Sequence, residues 1–253
     1  MKQWRATRER VLDADAMTFD DAENRAQRLL IALVLDTSQS MAGKPIERLS
    51  EALGGLADDL RRDVQLRSTA ELAIVTFGEG GVVAWRGDKP VPPLTSPFVP
   101  ADRFTVPNLR AGGVTPLTAA VERTIQCVAE EKAELKRRFL QYYRPHIWLF
   151  SDGYPTDQQG ELSDDWRRLP AIIRKSEADG RFLFFSVSVG DIDPTGDMVL
   201  SELAPDGHLR LDGFEFTSAL KLVSASAESA ARGQSAEAIK RRVTRIQTAV
   251  PRI

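Results

Sequence analysis

The sequence has little of what disulfide, metal–thiolate and histidine chemistry require. One cysteine, Cys127, and two histidines, His146 and His208, occur among 253 residues. A single cysteine excludes an intrachain disulfide framework and a thiolate metal cage, and it fits a reducing compartment. Neither histidine has a context typical of a nucleophilic hydrolase. Cys127 lies among apolar residues of a predicted helix, so we expect a buried structural thiol.

Long apolar runs and an excess of charge of one sign are also missing. No run approaches the roughly 20 residues that a membrane-spanning helix needs, and the basic first residues lack the apolar core of a signal peptide. The formal net charge is −2 and the pI about 5.9. Two basic clusters, Lys136–Phe139 and Lys240–Arg245, lie among acids and are expected to be solvated helix faces. We therefore expect a cytoplasmic protein with neither a membrane nor a nucleic-acid partner.

Four apolar runs of β-forming residues dominate the pattern. Their continuous apolarity predicts strands buried on both faces, as in a parallel sheet covered by helices. Helical patterns lie between them, including two that begin near Pro45 and Pro116. The sequence predicts an α/β, doubly wound, Rossmann-like fold with a central mainly parallel sheet, one antiparallel edge strand and helices on both faces. The four runs are Leu29–Leu35, Leu72–Phe77, Ile147–Phe150 and Phe182–Val189.

Shorter segments complete the predicted sheet. Gly80–Gly87 follows a glycine-rich turn and is predicted to be the antiparallel hairpin partner of the second strand, at the sheet edge. The proline-dense segment 88–113 is predicted to be a surface loop with little regular structure. Gly207–Gly213 is predicted to contain a short last strand.

The positions of the predicted strands and helices divide the chain into three parts. Residues 1–27 are predicted to form an N-terminal extension, and residues 28–228 a single domain. Residues 229–253 are predicted to form a C-terminal tail, helical or mobile. No internal repeat is visible in the sequence.

Three loops near predicted strand ends contain oxygen ligands. "DTSQS" has Asp36, Ser38 and Ser40, "GGVTPLT" has Thr115, and "LFSDGYPTD" has Asp152. Loops at the carboxyl ends of parallel strands converge at one edge of the sheet. Two carboxylates and three hydroxyls form an all-oxygen set, which suits a hard divalent cation such as Mg²⁺. The sequence therefore predicts a magnesium site at this edge.

The motifs "LVLDTSQSM", "GGVTPL" and "LFSDGYPTD" resemble the von Willebrand factor A (vWA) domain and its metal-ion-dependent adhesion site (MIDAS), the pattern D-x-S-x-S … T … D. All five positions are matched in the family's order. The resemblance covers about Arg28 to Ala227. The ending "DGYPTD" is most similar to bacterial tellurium-resistance-associated A-domain proteins.

The resemblance implies a role for each residue. Ser38 and Ser40 would bind the metal directly, Thr115 directly or through water, and Asp36 and Asp152 mostly through water. An Asp or Glu of a partner protein would complete the coordination of Mg²⁺, with Mn²⁺ or Ca²⁺ as substitutes. The implied function is a non-enzymatic, Mg²⁺-dependent protein–protein interaction module in a bacterial cytoplasmic stress-response or defence complex, associated with kinases and phosphatases.

Several alternatives remain open at the level of sequence. Asp36 could cap the following helix, and Asp152 could make a local Asx-turn. A Mg²⁺-dependent phosphohydrolase using Asp36 is the enzymatic alternative, although Ser38 stands where such enzymes need a second acid. A metal-free scaffold is the third. The family most often has glycine between the two serines, where this chain has Gln39. Asp157 could either contact the metal ligands without binding the metal itself or be a solvent-facing acid of a turn.

Overall fold

The computed structural model describes residues 26–211 and 213–249, so most of the predicted extension 1–27 lies outside the described residues. The strands are β1 (Leu29–Thr37), β2 (Ala70–Gly78), β3 (Gly81–Arg86), β4 (Lys89–Val91), β5 (Val99–Pro100), β6 (His146–Ser151), β7 (Leu183–Ser188) and β8 (His208–Arg210). They form one eight-stranded sheet in the order β4-β3-β2-β1-β6-β7-β8, and β5 pairs with β2.

The helices alternate with the parallel strands along the chain. None of the described helices is long and apolar enough to cross a membrane. The helices are α1 (Lys44–Arg62), α2 (Val64–Thr69), α3 (Leu117–Arg137), α4 (Leu169–Ala178), α5 (Pro194–Leu203), α6 (Phe216–Ala231) and α7 (Ala236–Ala249).

Strand β1 lies at the centre of the sheet and determines where the two halves separate. It pairs in parallel with β2 on one side and with β6 on the other, and β6, β7 and β8 continue in parallel. The connection after β1 leads to β2 on one side, and the chain later returns to β6 on the other. A crevice therefore opens at the carboxyl ends of β1 and β6. The predicted doubly wound α/β fold is confirmed.

The core consists of two apolar layers, one on each face of the sheet. All nine residues of β1 are buried, and alternate residues enter opposite layers because side chains of a strand alternate in direction. Helices α1, α6 and α7 cover one face, and α3, α4 and α5 cover the other. Leu29, Ile31, Leu33 and Leu35 contribute to the first layer, and Leu30, Ala32 and Val34 to the second.

The antiparallel edge is larger than the sequence predicts. Strand β3 pairs antiparallel with β2 as predicted, which confirms the antiparallel edge. Strand β4 pairs with the outer side of β3, so the outermost strand is β4 and not β3. The proline-dense segment contains β4, β5 and a 3₁₀ turn, Ala101–Arg103, which corrects the expectation of little regular structure. Buried Phe98 and Phe104 anchor it. Strands of two and three residues with prolines are too short to produce a periodic pattern, and proline is tolerated at a sheet edge.

The C-terminal part of the chain packs on the domain. Helix α7 places Ile239 and Val243 in the same apolar layer as α1 and α6, and both side chains are buried. The predicted boundary at residue 228 falls inside α6. The division into 1–27, 28–228 and 229–253 stays a prediction.

The buried His146 links stability to pH. It begins β6, and its Nδ1 lies 3.1 Å from Ser226 Oγ. Burial, and secondly the positive charge of Arg144, lower its pKa from 6.5 to about 3. Between pH 6.5 and about pH 3, the unfolded chain binds a proton at His146 and the folded chain does not. The stability that depends on neutral His146 is therefore present above pH 6.5 and is lost as the pH falls.

We expect His146→Asn to flatten this part of the pH dependence. The difference in slope should approach about 1.4 kcal/mol per pH unit below pH 6.5, because the variant has no proton to bind there. Urea unfolding of both proteins at pH 7, 6 and 5 measures it. Since the substitution also changes packing, the slopes are compared and not the absolute free energies. Parallel slopes would contradict this account of His146.

Candidate metal site

The first loop of the site is shaped by Asp36 at the end of β1. Asp36 and Ser38 are buried, whereas Ser40 is exposed. Asp36 Oδ1 accepts a hydrogen bond of 2.9 Å from the Ser38 N–H, and the chain then makes a 3₁₀ turn, Gln39–Met41. Asp36 does not cap α1, whose N-cap residue is Gly43. The carboxylate instead fixes the turn that brings both serines to the edge of the sheet.

A chain of hydroxyls joins the first loop to the third. Ser40 Oγ donates a hydrogen bond of 2.9 Å to Asp152 Oδ1, and Ser38 Oγ lies 3.0 Å from Ser40 Oγ. A hydroxyl has one proton and two lone pairs, so Ser40, which donates to Asp152, accepts from Ser38. The Ser38 proton is thus donated to Ser40 and the Ser40 proton to Asp152, and lone pairs of both oxygens remain available to a cation. Asp152 makes this contact across the site and not a local Asx-turn.

The second loop is attached to the other two mainly through the backbone. The Thr115 N–H donates to Thr156 Oγ1 at 2.8 Å, and the Thr156 N–H donates to the Thr115 carbonyl at 3.0 Å. The Gln39 N–H donates to the Gly113 carbonyl at 3.2 Å. Thr115 therefore lies at the same edge as the other four predicted ligands, although no hydrogen bond among the described residues joins its hydroxyl to theirs.

Sequence reasoning missed two residues of this site, Ser151 and Thr156. Ser151 ends β6 and donates a hydrogen bond of 2.6 Å to Asp36 Oδ2, in a fully buried position. In the register of β1 and β6, Leu35 lies opposite Phe150, so the next residues, Asp36 and Ser151, are neighbours. A serine directly before Asp152 was a visible signal, but only the register shows which acid it contacts.

Asp157 and Gln39 have smaller roles. Asp157 Oδ1 accepts the N–H groups of Gln159 and Glu161 at 2.8 and 3.0 Å, which is the behaviour of a turn-forming acid. Gln39 is exposed, and its backbone, not its side chain, joins it to the second loop.

Within residues 26–211 and 213–249, no cationic side chain acts on the two carboxylates. Burial, and secondly the negative charge of Asp152, raise the pKa of Asp36 to about 6, against hydrogen bonds from Ser151 and Ser38. Burial also raises the pKa of Asp152, against its bond from Ser40. In the part of the chain that the structure describes, no lysine, arginine or histidine offsets this rise in pKa at either carboxyl group. A divalent cation would supply the missing positive charge, so these residues fit a metal.

The donor set is unusual in its reliance on hydroxyl groups. Within residues 26–211 and 213–249 there is no group of three or more His, Cys, Asp or Glu side chains that could hold a metal ion. The candidate site has two acids, and the remaining donors are the hydroxyls of Ser38, Ser40 and Thr115. Oxygen donors of this kind favour Mg²⁺, Ca²⁺ or Mn²⁺ over softer metals.

Solved structures identify the fold around this site. Proximal thread matrix protein 1 from the mussel byssus is a vWA-domain protein. It is 16% identical, with a TM-score of 0.52 over 78% of this chain and 47% of its own. The chain has the von Willebrand factor A fold. The open conformation of the pilus adhesin SpaC from Lactobacillus rhamnosus GG is 12% identical, with a TM-score of 0.52 over 82% of this chain and 30% of its own.

The likeness to these vWA proteins concerns the fold and only part of their length. The chain spans about half of the mussel protein and under a third of the adhesin. A second structure of the mussel protein has a zinc-occupied MIDAS motif, at 16% identity and a TM-score of 0.45 over 78% of this chain and 46% of its own. No protein-family model and no curated protein matches the sequence.

We expect Ser151→Ala to lower the free energy of unfolding by about 1–3 kcal/mol at pH 7. The change leaves one oxygen of the buried Asp36 carboxylate without its hydrogen-bond donor. Urea unfolding measures the effect. Ser224→Ala is a suitable control, because Ser224 Oγ makes only a 3.5 Å contact with the Leu220 carbonyl of its own helix. Equal losses in the two variants would show that the Ser151 bond contributes nothing specific.

Proposed function

We propose that this chain is a metal-dependent protein-binding module, in which Ser38, Ser40 and Thr115 bind a divalent cation directly. Asp36 and Asp152 would act mainly through water. The proposal is supported above all by the hydrogen-bonded chain Ser38–Ser40–Asp152, in which each hydroxyl donates its proton along the chain and keeps a lone pair free for a cation. Mg²⁺ is the proposed ion, with Mn²⁺ or Ca²⁺ as substitutes, because all donors are hard oxygens.

The position of Asp36 explains why binding and not hydrolysis is proposed. Its side chain is buried, and its two oxygens already accept the Ser38 N–H and the Ser151 hydroxyl. A nucleophilic carboxylate needs an oxygen that can reach a substrate. Asp36 instead orients the loop and supplies negative charge behind the hydroxyls. When bound, the cation offers an electrophilic position to an outside carboxylate.

The partner in this proposal is a protein with an exposed Asp or Glu. Neutral hydroxyls leave more of the cation's positive charge uncompensated than carboxylates in direct contact would, which favours an anionic sixth ligand. The side chains around the site then determine which proteins are accepted.

The biological setting is proposed from the motif "DGYPTD", which is most similar to tellurium-resistance-associated A-domain proteins. On this basis we place the chain in a bacterial, cytoplasmic stress-response or defence complex that includes kinases or phosphatases.

Capture of partners from a lysate of the source cell tests the proposal. With Mg²⁺ present, the wild-type chain should retain a partner that EDTA releases. Thr115→Val, which removes the hydroxyl and keeps the shape of the side chain, should retain much less. Thr244→Val is the matched control, because Thr244 lies on α7 and its hydroxyl bonds only to the Lys240 carbonyl. Capture that EDTA leaves unchanged would favour a metal-free scaffold.

Phosphatase activity provides the second test. The purified chain with Mg²⁺ is incubated with a generic aryl phosphate, alongside Asp36→Asn. The proposal expects no phosphate release from either protein. Release by the wild type that disappears in Asp36→Asn would establish the phosphohydrolase instead.

A further inference from the structure

The end of the domain opposite the metal site is where the described chain begins. At this end the loop 138–145 connects α3 to β6. The Arg28 N–H donates to the Gln141 carbonyl and the Tyr143 N–H to the Arg28 carbonyl, both at 2.8 Å. The residues that precede Arg28 therefore emerge directly beside this loop.

Two grooves adjoin this loop, and Tyr142 lines both. The first, of about 400 Å³, is lined by residues that include Gln27, Tyr142 and Ile239. The second, of about 470 Å³, is lined by residues that include Lys136, Phe139 and Tyr142. We call these grooves and Phe139 the Tyr142 surface. Because Gln27 lines the first groove, this surface begins where the preceding segment enters.

Phe139 is the most unusual residue of the Tyr142 surface. Its side chain is 93% exposed, and its φ is +57°. It follows the last turn of α3 in the left-handed position that glycine normally occupies, and its N–H donates to the Lys136 carbonyl at 3.0 Å. A bulky residue pays a conformational penalty in this region. An aromatic ring held outwards in such a conformation is placed for a contact.

The charges around the Tyr142 surface are mainly positive. The Lys132 ammonium lies 5.4 Å from the centre of the Tyr142 ring. Burial lowers the pKa of Lys132, and the nearby positive charges of Lys136, Arg181 and Arg144 lower it further. Arg181 is paired with Asp179, so the local charge is reduced but not cancelled. This surface is complementary to an acidic segment that also has an apolar side chain.

We propose that the Tyr142 surface is the docking site of the chain's own segment from Asp13 to Glu23, "DADAMTFDDAE". The segment has five acidic residues and no basic one, together with Met17 and Phe19 as large apolar side chains. It ends three residues before residue 26, where the described chain begins. Ten extended residues span up to roughly 33 Å, so Phe19 has ample reach to Phe139. Phe19 or Met17 occupies a groove beside Phe139, and the carboxylates face Lys132 and Lys136.

Zero-length carbodiimide cross-linking of the full chain tests the proposal. The reagent joins a carboxylate to a lysine only when the two are in contact, and mass spectrometry identifies the pair. An equal mixture of ¹⁴N- and ¹⁵N-labelled protein separates links within one chain from links between chains. We expect links from Asp20, Asp21 or Glu23 to Lys136 or Lys132, within one isotope.

Variants make the expected result specific. Phe139→Ser should lower the yield of these links by about tenfold, because an aromatic anchor is lost while both lysines remain. Leu162→Ser, at a residue 76% exposed in another loop, should leave the yield unchanged. Links of mixed isotope would assign the surface to a second copy and overturn the proposal. Equal yields to Lys175 and Lys221, or no links at all, would overturn it as well.

Discussion

Replacing Ser38 and Ser40 together by alanine is expected to abolish divalent-metal binding while the domain stays folded. Two of the three proposed direct ligands are lost and only Thr115 remains, so we expect the affinity for Mn²⁺ to fall by at least about 100-fold. The free energy of unfolding without metal should change by no more than about 1 kcal/mol, because only hydrogen bonds at the edge of the site are removed. The Mn²⁺ electron paramagnetic resonance signal measures binding, and urea unfolding measures stability.

A matched double variant separates the loss of ligands from the loss of serines. Ser50 and Ser68 donate only to backbone carbonyls of their own helices, so Ser50→Ala with Ser68→Ala should bind Mn²⁺ like the wild type. Retained binding in the Ser38/Ser40 variant would contradict the assignment of ligands. A large loss of stability in that variant would show that the serines serve the fold and not a metal.

Gly78→Ala is expected to be the most destabilising small substitution near the site. Gly78 ends β2 opposite Thr37, with φ at +139°. A Cβ at this position would lie 2.2 Å from the Thr37 carbonyl carbon and 2.5 Å from the Ser38 nitrogen. Backbone atoms cannot rotate away as a side chain can, so β1 or β2 must move. We expect a loss of about 2–4 kcal/mol and weaker Mn²⁺ binding.

Gly54→Ala is the control for this prediction. Gly54 lies within α1, and a Cβ there would meet nothing within 4 Å. Because alanine favours a helix over glycine, we expect a gain of about 0.5–1 kcal/mol. Urea unfolding compares both variants with the wild type. If Gly78→Ala were as stable as the wild type, the close approach of β1 and β2 at the site would be disproved.

The central strands were predictable because they are long and apolar on both faces. Leu29–Leu35 and Phe182–Val189 are runs that only a doubly covered sheet accommodates. Strand β4 and helix α5 were not predicted. Strand β4 has three residues including Pro90, and α5 begins at Pro194 after the Asp193 cap in a loop-like composition. Short elements depend on tertiary contacts that leave little periodic signal.

The site was predictable to the extent that its ligands follow one another in short motifs. Asp36, Ser38 and Ser40 lie within five residues. In the structure Ser40 is hydrogen-bonded to Asp152, and Ser38 is hydrogen-bonded to Ser40. Ser151 was not predictable, because its contact with Asp36 arises from the register of two strands 115 positions apart in the sequence. That the five residues bind a metal stays a prediction.

A crystal structure with Mn²⁺, with the ion located by its anomalous scattering, tests the central claim most directly. The account predicts one anomalous peak at a direct coordination distance, about 2.0–2.2 Å, from Ser38 Oγ and Ser40 Oγ, with Asp36 and Asp152 one water away. A peak bound directly by both carboxylates and away from the serines would contradict it, and so would a site without Mn²⁺ at a saturating concentration.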